Sequence, residues 1–208
     1  QCRWALGFPD AALSASQDAL RLAEDLQHAT TTGIALWYSA WLHYQRGERQ
    51  AAAANAERAI SIASSHSLAG YIDSAMVFRH ANSDERLNIK VLGDLFRRIK
   101  SSAMSATRKT HSLCVLATLY AESGDTEQGR SVLTSIGENS RRGLYAPEVL
   151  WIEGELILKS ARPGAGEAER CFREAIALAR AREEKSFELR AATSLARLLY
   201  GQGRREEA

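Results

Sequence analysis

The sequence predicts an all-α protein built from repeated pairs of helices, and three observations support this fold class. Alanine and leucine are abundant, whereas only three prolines interrupt the 208 residues. Runs of β-branched and aromatic residues, which are typical of strands, are scarce. Glycines suited to a turn between two helices recur roughly every 40 residues, which indicates an internal repeat.

The repeat is clearest around Gly124. Leu116 and Tyr120 lie four residues apart, as on one face of a helix. Ala117 is a small residue at a point where two helices must approach closely. Gly124 suits the end of that helix, and Asp125 is a good N-cap for the next one. This segment therefore predicts a helix, a tight turn and a second helix.

The same arrangement recurs along the whole chain. The turn glycines are Gly7, Gly47, Gly124, Gly164 and Gly203. The double interval between Gly47 and Gly124 predicts one degenerate unit, with its turn near 82–84. The repeats then cover roughly residues 1–26 in part, 29–66, 68–102, 106–138, 145–183 and 185–208 in part.

Ten main helices follow from this division. They are predicted at 9–26, 29–46, 49–66, 68–81, 85–102, 106–123, 126–138, 146–160, 166–183 and 185–202. Pro147 suits the first turn of its helix, and Pro163 with Gly164 suits a loop, so the prolines agree with these breaks. We expect consecutive helices to pack as antiparallel pairs.

These spacings resemble the tetratricopeptide pattern of helix-turn-helix units, although the period is longer than its usual length of about 34 residues. Residues 167–208, which begin EAERCFREAIALARAR, look like the C-terminal repeat regions of large bacterial signalling proteins. In those proteins a class III nucleotide cyclase or a DNA-binding domain precedes a signal-transduction ATPase module and then the helical array. The resemblance implies one tetratricopeptide-like α-α superhelix of about five units over residues 1–208.

The composition excludes several classes of function. Lys and Arg total 27 against 25 Asp and Glu, so the whole-chain charge gives no reason to expect a nucleic-acid or membrane partner. A local basic cluster at 97–100 and 108–109 suits a solvated helix face as well as an anionic partner, and we do not expect nucleic-acid contact. No apolar run is long enough to cross a membrane. Cys2, Cys114 and Cys171 are far apart, which favours reduced thiols and a cytoplasmic location.

No catalytic, cofactor-binding or metal-binding residues are expected. The five histidines lack the spacing that places two ligands on one helix face. No phosphate-binding loop and no nucleophile elbow occurs, so we do not expect an enzyme. The chain begins with Gln1 and its last residues suggest a new helix after Gly203, so we expect a fragment of a longer protein whose other domains carry any catalysis.

Binding residues follow from the resemblance. In tetratricopeptide folds the first helix of each unit lines a concave groove, and residues at fixed offsets from the small packing residue point into it. Applied around Ala40, Ala117, Gly154 and Ala196, this implies a groove with an aromatic and a charged half. Its members are Trp37, Trp41, Tyr44, His111, Trp151, Glu155, Arg190, Arg197 and Tyr200. Aromatic residues and arginine are the types that dominate binding hot spots.

Two functions stay open at this point. The first is a protein-interaction or intramolecular regulatory scaffold of a bacterial signalling protein, which binds a peptide, a helix or a neighbouring domain of the same chain. The second is a small-molecule sensor that controls an attached ATPase, cyclase or DNA-binding domain. The alternative for Trp37 and Trp41 is that they fill the core between repeats. The sequence identifies neither the ligand nor the oligomeric state, and a homo-oligomer stays open.

Overall fold

The computed structural model describes residues 1–66, 69–81 and 88–208, and these residues form helices and no strand. The predicted all-α fold class is therefore confirmed for this part of the chain. The helices are α1 (Cys2–Ala5), α2 (Pro9–Asp25), α3 (Ala29–Gln45), α4 (Arg49–Ser65), α5 (Ala69–Ala81), α6 (Ile89–Ser101), α7 (Ala106–Ser123), α8 (Thr126–Thr134), α9 (Glu138–Arg141), α10 (Ala146–Lys159), α11 (Ala165–Ala181) and α12 (Lys185–Gly201).

The ten predicted helices correspond to α2–α8 and α10–α12, with most ends shifted by one residue. The predicted turn near 82–84, the start of a helix at 85 and residue 68 lie outside the described residues. The predicted helix at 126–138 is too long, because α8 ends at Thr134. The Arg141 guanidinium explains this end, since it donates hydrogen bonds to the carbonyl oxygens of Leu133 at 2.7 Å and Ile136 at 3.2 Å.

Several helix ends share one turn geometry. After α3, the N–H of Glu48 donates to the carbonyl of His43 at 2.9 Å, and the N–H of Gly47 donates to that of Tyr44. This is the paired hydrogen bond of a Schellman turn, in which the residue after the helix takes a positive φ. The same backbone bond recurs after α1, α7, α11 and α12. Gly164 differs from the prediction, because it is the N-cap of α11 with a φ of −98°.

Two left-handed positions at helix ends carry side chains. Gln27 follows α2 with a φ of 50°, and Glu183 follows α11 with a φ of 58°. At Gly47 and Gly124, by contrast, the positive φ falls on a residue without Cβ. After α11 the N–H of Glu184 still donates to the carbonyl oxygen of Ala179 at 2.9 Å, so the turn hydrogen bond is kept although position 183 is not glycine.

The chain divides into two compact units. Unit 1 comprises residues 1–4 and 8–115, and unit 2 comprises residues 5–7 and 116–208. In unit 1 the helices from α2 to α6 each pack against the next along the chain, and α3 also contacts α5. Small residues make the α3–α4 contact close: Ala40, Ala52, Ala56 and Ala63 are all 0% exposed.

Unit 2 is also built from neighbours in sequence. Helix α10 packs against α8, α9, α11 and α12, and α11 packs against α12. Gly154 of α10 allows the ring of Phe172 on α11 to come close, since a Cβ at Gly154 would lie 2.6 Å from that ring. Phe172 is fully buried together with Ile157, Ala168 and Cys171. Burial raises the pKa of the Cys171 thiol to about 11.

Candidate functional site

The predicted aromatic stripe of α3 lies mostly inside unit 1. Trp37 and Trp41 are 1% and 2% exposed, and His111 of α7 is 0% exposed. Together with Phe78 of α5 they form what we call the aromatic cluster. Ring centroids are separated by 5.6 Å for Trp37 and Phe78, 5.9 Å for Trp41 and His111, and 5.5 Å for Phe78 and His111. Tyr44 lies at its edge, half-buried and 5.8 Å from Phe78.

The rings of Trp37, Trp41 and His111 are thus buried among the helices of unit 1. For Trp37 and Trp41 this is the packing that the core alternative describes, and a role of these residues in partner binding stays a prediction. The physical reason is that α5 and the first part of α7 supply Phe78 and His111 against the same face of α3. Edge-to-face and tilted ring contacts of this kind add to the burial of apolar area.

Unit 1 has an open groove on a different face of α3. Helices α1, α2 and α3 enclose a volume of about 660 Å³. The lining residues are Gln1, Cys2, Arg3, Ala12, Ala15, Ser16, Ala19, Leu22, Ala23, Leu26, Thr31, Ile34, Ala35, Tyr38, Trp41 and Leu42. Leu22 of α2 is 61% exposed, Leu26 at the C-cap of α2 is 62% exposed, and Tyr38 of α3 is 44% exposed. We call this feature the unit 1 groove.

The sequence positions of the groove residues explain its shape. On α3, Thr31, Ala35, Tyr38 and Leu42 follow one another at intervals of three or four residues, as one face of a helix requires. Most of the residues that α2 contributes to the lining are alanines, whose short side chains leave space for the groove. Trp41 forms part of the floor, so it is the one member of the predicted set that borders this groove.

Helix α1 is tied to the groove by two contacts. The Arg3 guanidinium donates to the carbonyl oxygen of Ala11 on α2 at 3.3 Å. The indole of Trp4 packs edge-on against Trp41 at 5.6 Å between ring centroids. At the other end, the side chain of His28 accepts a hydrogen bond from the N–H of Thr31 and so caps α3. The groove walls are therefore held by helix ends as well as by apolar packing.

The lining of the unit 1 groove is mostly apolar. Among the described residues that line the groove there is no Asp, Glu or His, so it offers no general base for its single thiol, Cys2. In the part of the chain that the structure describes, no group of three His, Cys, Asp or Glu residues is arranged to hold a metal ion. Apolar walls with a few polar groups at the rim instead suit the apolar side of a ligand.

In unit 2, three of the predicted residues meet in a polar network between α10 and α12. The Arg190 guanidinium donates to Glu148 Oε1 at 2.8 Å and lies 5.0 Å above the ring of Trp151. The Trp151 indole N–H donates to Ser194 Oγ at 2.9 Å, and Ser194 Oγ donates to Glu155 Oε1 at 2.6 Å. Glu148 and Ser194 are buried, so the network holds two helices together.

The remaining predicted residues, Arg197 and Tyr200, lie apart from this network. Both are exposed on α12, and the Arg205 guanidinium lies 5.0 Å from the centroid of the Tyr200 ring. The structure therefore joins Trp151, Glu155 and Arg190 but leaves these two on the surface of the same helix.

The basic cluster at 97–100 and 108–109 makes local contacts. Arg98 Nε donates to Asp73 at 2.8 Å, and Lys109 Nζ donates to the carbonyl oxygen of Ser102 at 2.6 Å. The Arg108 guanidinium lies 3.9 Å from the centroid of the Tyr71 ring. These cations are engaged within unit 1, which agrees with a structural interpretation of the cluster.

Sequence reasoning missed Leu22, Leu26 and Tyr38 as groove residues. A signal for them was present, because α2 carries apolar or small residues at 12, 15, 19, 22, 23 and 26. That stripe covers more of the surface of α2 than contact with one neighbouring helix would bury. It also missed Glu148 and Ser194, whose role depends on the register of α12 against α10.

Comparison with known proteins leaves the family open. No family model, no curated protein and no solved structure matches this chain. Among the helices of the described ranges, none is both long and apolar enough to cross a lipid bilayer. The described residues thus form sequentially packed helices without a strand, and unit 1 has an open apolar groove.

Proposed function

We propose that this chain is a tetratricopeptide-like protein-interaction scaffold, whose unit 1 groove binds a segment of a partner protein. The observation that carries this proposal is the exposure of Leu22, Leu26 and Tyr38 around a groove of about 660 Å³. Burying one leucine side chain contributes roughly 1.5–3 kcal/mol, so a partner that covers both leucines gains appreciable affinity. Contiguous exposed apolar surface of this kind marks interaction sites.

The packing order within each unit supports the tetratricopeptide-like part of the proposal. Helices pack against the next along the chain, and α3 with α5 and α10 with α12 make contacts with the next but one. Repeat proteins use such stacking to present binding surfaces while their cores stay local. In a bacterial signalling protein, the partner would be another protein or a neighbouring domain of the same polypeptide.

The small-molecule sensor has less support. A sensor pocket is typically enclosed and has convergent polar groups that fix the ligand's orientation. The unit 1 groove is open along Leu22 and Leu26. In addition to the Cys2 thiol, its polar lining consists of Gln1, Arg3, Ser16, Thr31 and the Tyr38 hydroxyl. This chemistry suits a macromolecular partner better than a small polar ligand.

The proposal is tested by affinity capture with a groove variant and a matched control. Leu22→Asp places a charge in the groove, and Leu189→Asp places the same charge on α12, where Leu189 is 69% exposed. We expect Leu22→Asp to lose partner proteins that both the wild-type chain and Leu189→Asp retain, as measured by quantitative mass spectrometry. Both variants should keep the wild-type melting temperature, because the replaced side chains are exposed. Capture of the same proteins by all three chains would refute the proposal.

A further inference from the structure

Two turns of the chain have nearly the same backbone. The turn between α3 and α4 and the turn between α11 and α12 each place an arginine two residues before a glutamate. Glu48 has φ −85° and ψ 71°, and Glu184 has φ −84° and ψ 71°. In the first turn, Arg46 Nε donates to Glu48 Oε1 at 2.7 Å. The shared backbone gives Arg182 the same access to Glu184 in the second turn.

The Arg182 guanidinium instead bonds to a different part of unit 2. Its Nη1 donates to the carbonyl oxygen of Gly143 at 2.8 Å, and its Nη2 donates to that of Arg142 at 3.0 Å. These carbonyl groups end the stretch 137–143, which we call the α9 segment. None of the residues of α9 is buried, and the Arg141 side chain bonds to the last turn of α8. Arg182 therefore holds the C-terminal end of a segment that has little apolar packing, and such segments open locally.

The carboxyl group of Glu184 is buried in this arrangement. The residue is 7% exposed, and among the described residues its Oε2 atom has no hydrogen-bond partner. Burial raises the pKa of Glu184, and the smaller influence of the Arg182 charge acts in the opposite direction. A carboxyl in such a site is more stable neutral than charged. In the first turn, by contrast, the Glu48 carboxylate has Arg46 as its partner.

The other charged groups around this turn are engaged with one another. They come from α9, α10, α11 and α12, and the ion pairs are Arg180 and Lys185 with Glu188, Arg142 with Glu138, and Arg190 with Glu148. Glu183 is exposed, so solvent screens its charge. Among the described residues, Arg182 is thus the cation that acts on the Glu184 carboxyl.

We propose that Arg182 and Glu184 form a pH-sensitive switch in unit 2, in which the Arg182 guanidinium bonds to the α9 segment while Glu184 is protonated and to Glu184 once that carboxyl ionises. The closed form is the observed arrangement, and the open form repeats the Arg46–Glu48 pair. The switch is independent of the proposed function, because neither residue lines the unit 1 groove.

The direction of the pH dependence follows from linkage. Burial raises the pKa of Glu184 in the closed form, whereas a bond to arginine lowers the pKa of a carboxyl, as Arg46 does for Glu48. The closed form is therefore fully favoured below both pKa values. Its advantage is lost as the pH rises through the raised pKa, and the C-terminal end of the α9 segment is then released.

Amide hydrogen exchange of the whole chain tests this switch, followed by NMR from about pH 4 to about pH 8 and corrected for the intrinsic rates. The reporters are the N–H groups of Arg142 and Gly143, which donate within the α9 segment to the carbonyl oxygens of Glu138 and Ser140. We expect their protection to fall as the pH rises, by about tenfold for each unit by which the pKa of Glu184 differs between the two forms.

Three variants separate the roles of the two residues. Glu184→Gln cannot ionise and should keep the low-pH protection throughout. Glu183→Gln is the matched control, because it removes an exposed carboxyl from the next position, and Gln27 shows that glutamine adopts the same left-handed conformation. It should behave like wild type. Arg182→Ala should be poorly protected at every pH, because it lacks the guanidinium that holds the segment.

Protection that is independent of pH in the wild-type chain would overturn the switch, and so would an equal fall in wild type and Glu184→Gln. Full protection in Arg182→Ala would show that Arg182 does not hold the segment. The carboxyl ¹³C shift of Glu184 gives a further measurement on the wild-type chain, which needs no variant to fold. The pKa of Glu184 should lie above that of an ordinary glutamate, and titration at or below the ordinary value would also overturn the proposal.

Discussion

The residues chosen by the same offsets behave differently in the two units. In unit 1, Trp37 and Trp41 lie in an apolar cluster with Phe78. In unit 2, Trp151 and Glu155 belong to a hydrogen-bonded network that includes Arg190. Both sets nevertheless lie where one helix meets another. Around Ala40 and Gly154 the offsets therefore identify inter-helix contacts, whereas around Ala196 they select the exposed Arg197 and Tyr200, and the open groove lies on another face of α3.

The largest expected effect is in the aromatic cluster, where the burial of Trp37 can be tested. Trp37→Ala should lower the free energy of unfolding by roughly 3–5 kcal/mol, because it empties a fully buried position beside Phe78. Urea denaturation followed by circular dichroism measures this loss. Tyr38→Ala is the matched control on the same helix, where the side chain is 44% exposed, and it should have a small effect. Equal midpoints for Trp37→Ala and wild type would show that Trp37 is not core.

The polar network gives the next largest effect. Arg190→Leu should cost roughly 2–3 kcal/mol, because it removes the cation that bonds to the buried carboxylate of Glu148. Arg197→Leu, on the exposed face of the same helix, should change the urea midpoint little. If the two variants were equally stable, Arg190 would contribute no more than a surface arginine, and the network would not hold α10 to α12.

The two units have different small residues at the same predicted packing position, and replacing glycine by alanine in unit 2 tests this difference. Gly154 corresponds to Ala40, yet a Cβ at Gly154 would lie 2.6 Å from Phe172 Cε1. Gly154→Ala should therefore destabilise the chain by roughly 1–3 kcal/mol in thermal and urea unfolding. Gly166→Ala in α11 is the control, because its Cβ would meet nothing within 4 Å, and it should be neutral or stabilising. Phe172→Leu should relieve part of the Gly154→Ala defect, and an additive double variant would contradict the contact.

The smallest expected effect concerns an ion cluster at the turn between α3 and α4. Hydrogen bonds from Arg46 and then His43 hold the pKa of Glu48 below its usual range. A lowered folded-state pKa stabilises the fold above about pH 4 and loses this contribution as the pH falls through the folded pKa. Glu48→Gln should therefore be slightly less stable than wild type at neutral pH.

That difference should vanish in acid, which urea midpoints at neutral and strongly acidic pH would measure. Glu169→Gln gives the comparison in unit 2, where Arg204 and then Arg173 lower the pKa of Glu169. The two variants should show the same sign. A wild-type advantage that grows as the pH falls would contradict the assignment.

The helices were largely predictable because their signals are local. Gly47 and Gly124 take the left-handed conformation expected at a helix end, and Asp125 caps α8 through a bond to the N–H of Gln128. The end of α8 was not predictable, because the Arg141 side chain, seven residues beyond Thr134, donates to the carbonyl oxygen of Leu133. Such a contact depends on how the chain folds back.

The candidate groove was only partly predictable. Trp41 was identified, but Tyr38 was missed. An offset from the small packing residue selects a position on the helix, but it does not show which other helices pack around that position. Trp37 packs against Phe78, which lies in the degenerate unit where no turn glycine marks the helices.

The left-handed residues Gln27 and Glu183 bear on how reliably glycine marks a helix end in this sequence. A side chain in this conformation costs roughly 1 kcal/mol, whereas glycine adds a similar amount of freedom to the unfolded chain. Exchange between the two is therefore nearly neutral. A helix end can therefore lose its glycine and keep the hydrogen bond of the turn, as the Glu184–Ala179 bond shows, and a search for turn glycines then misses that helix end.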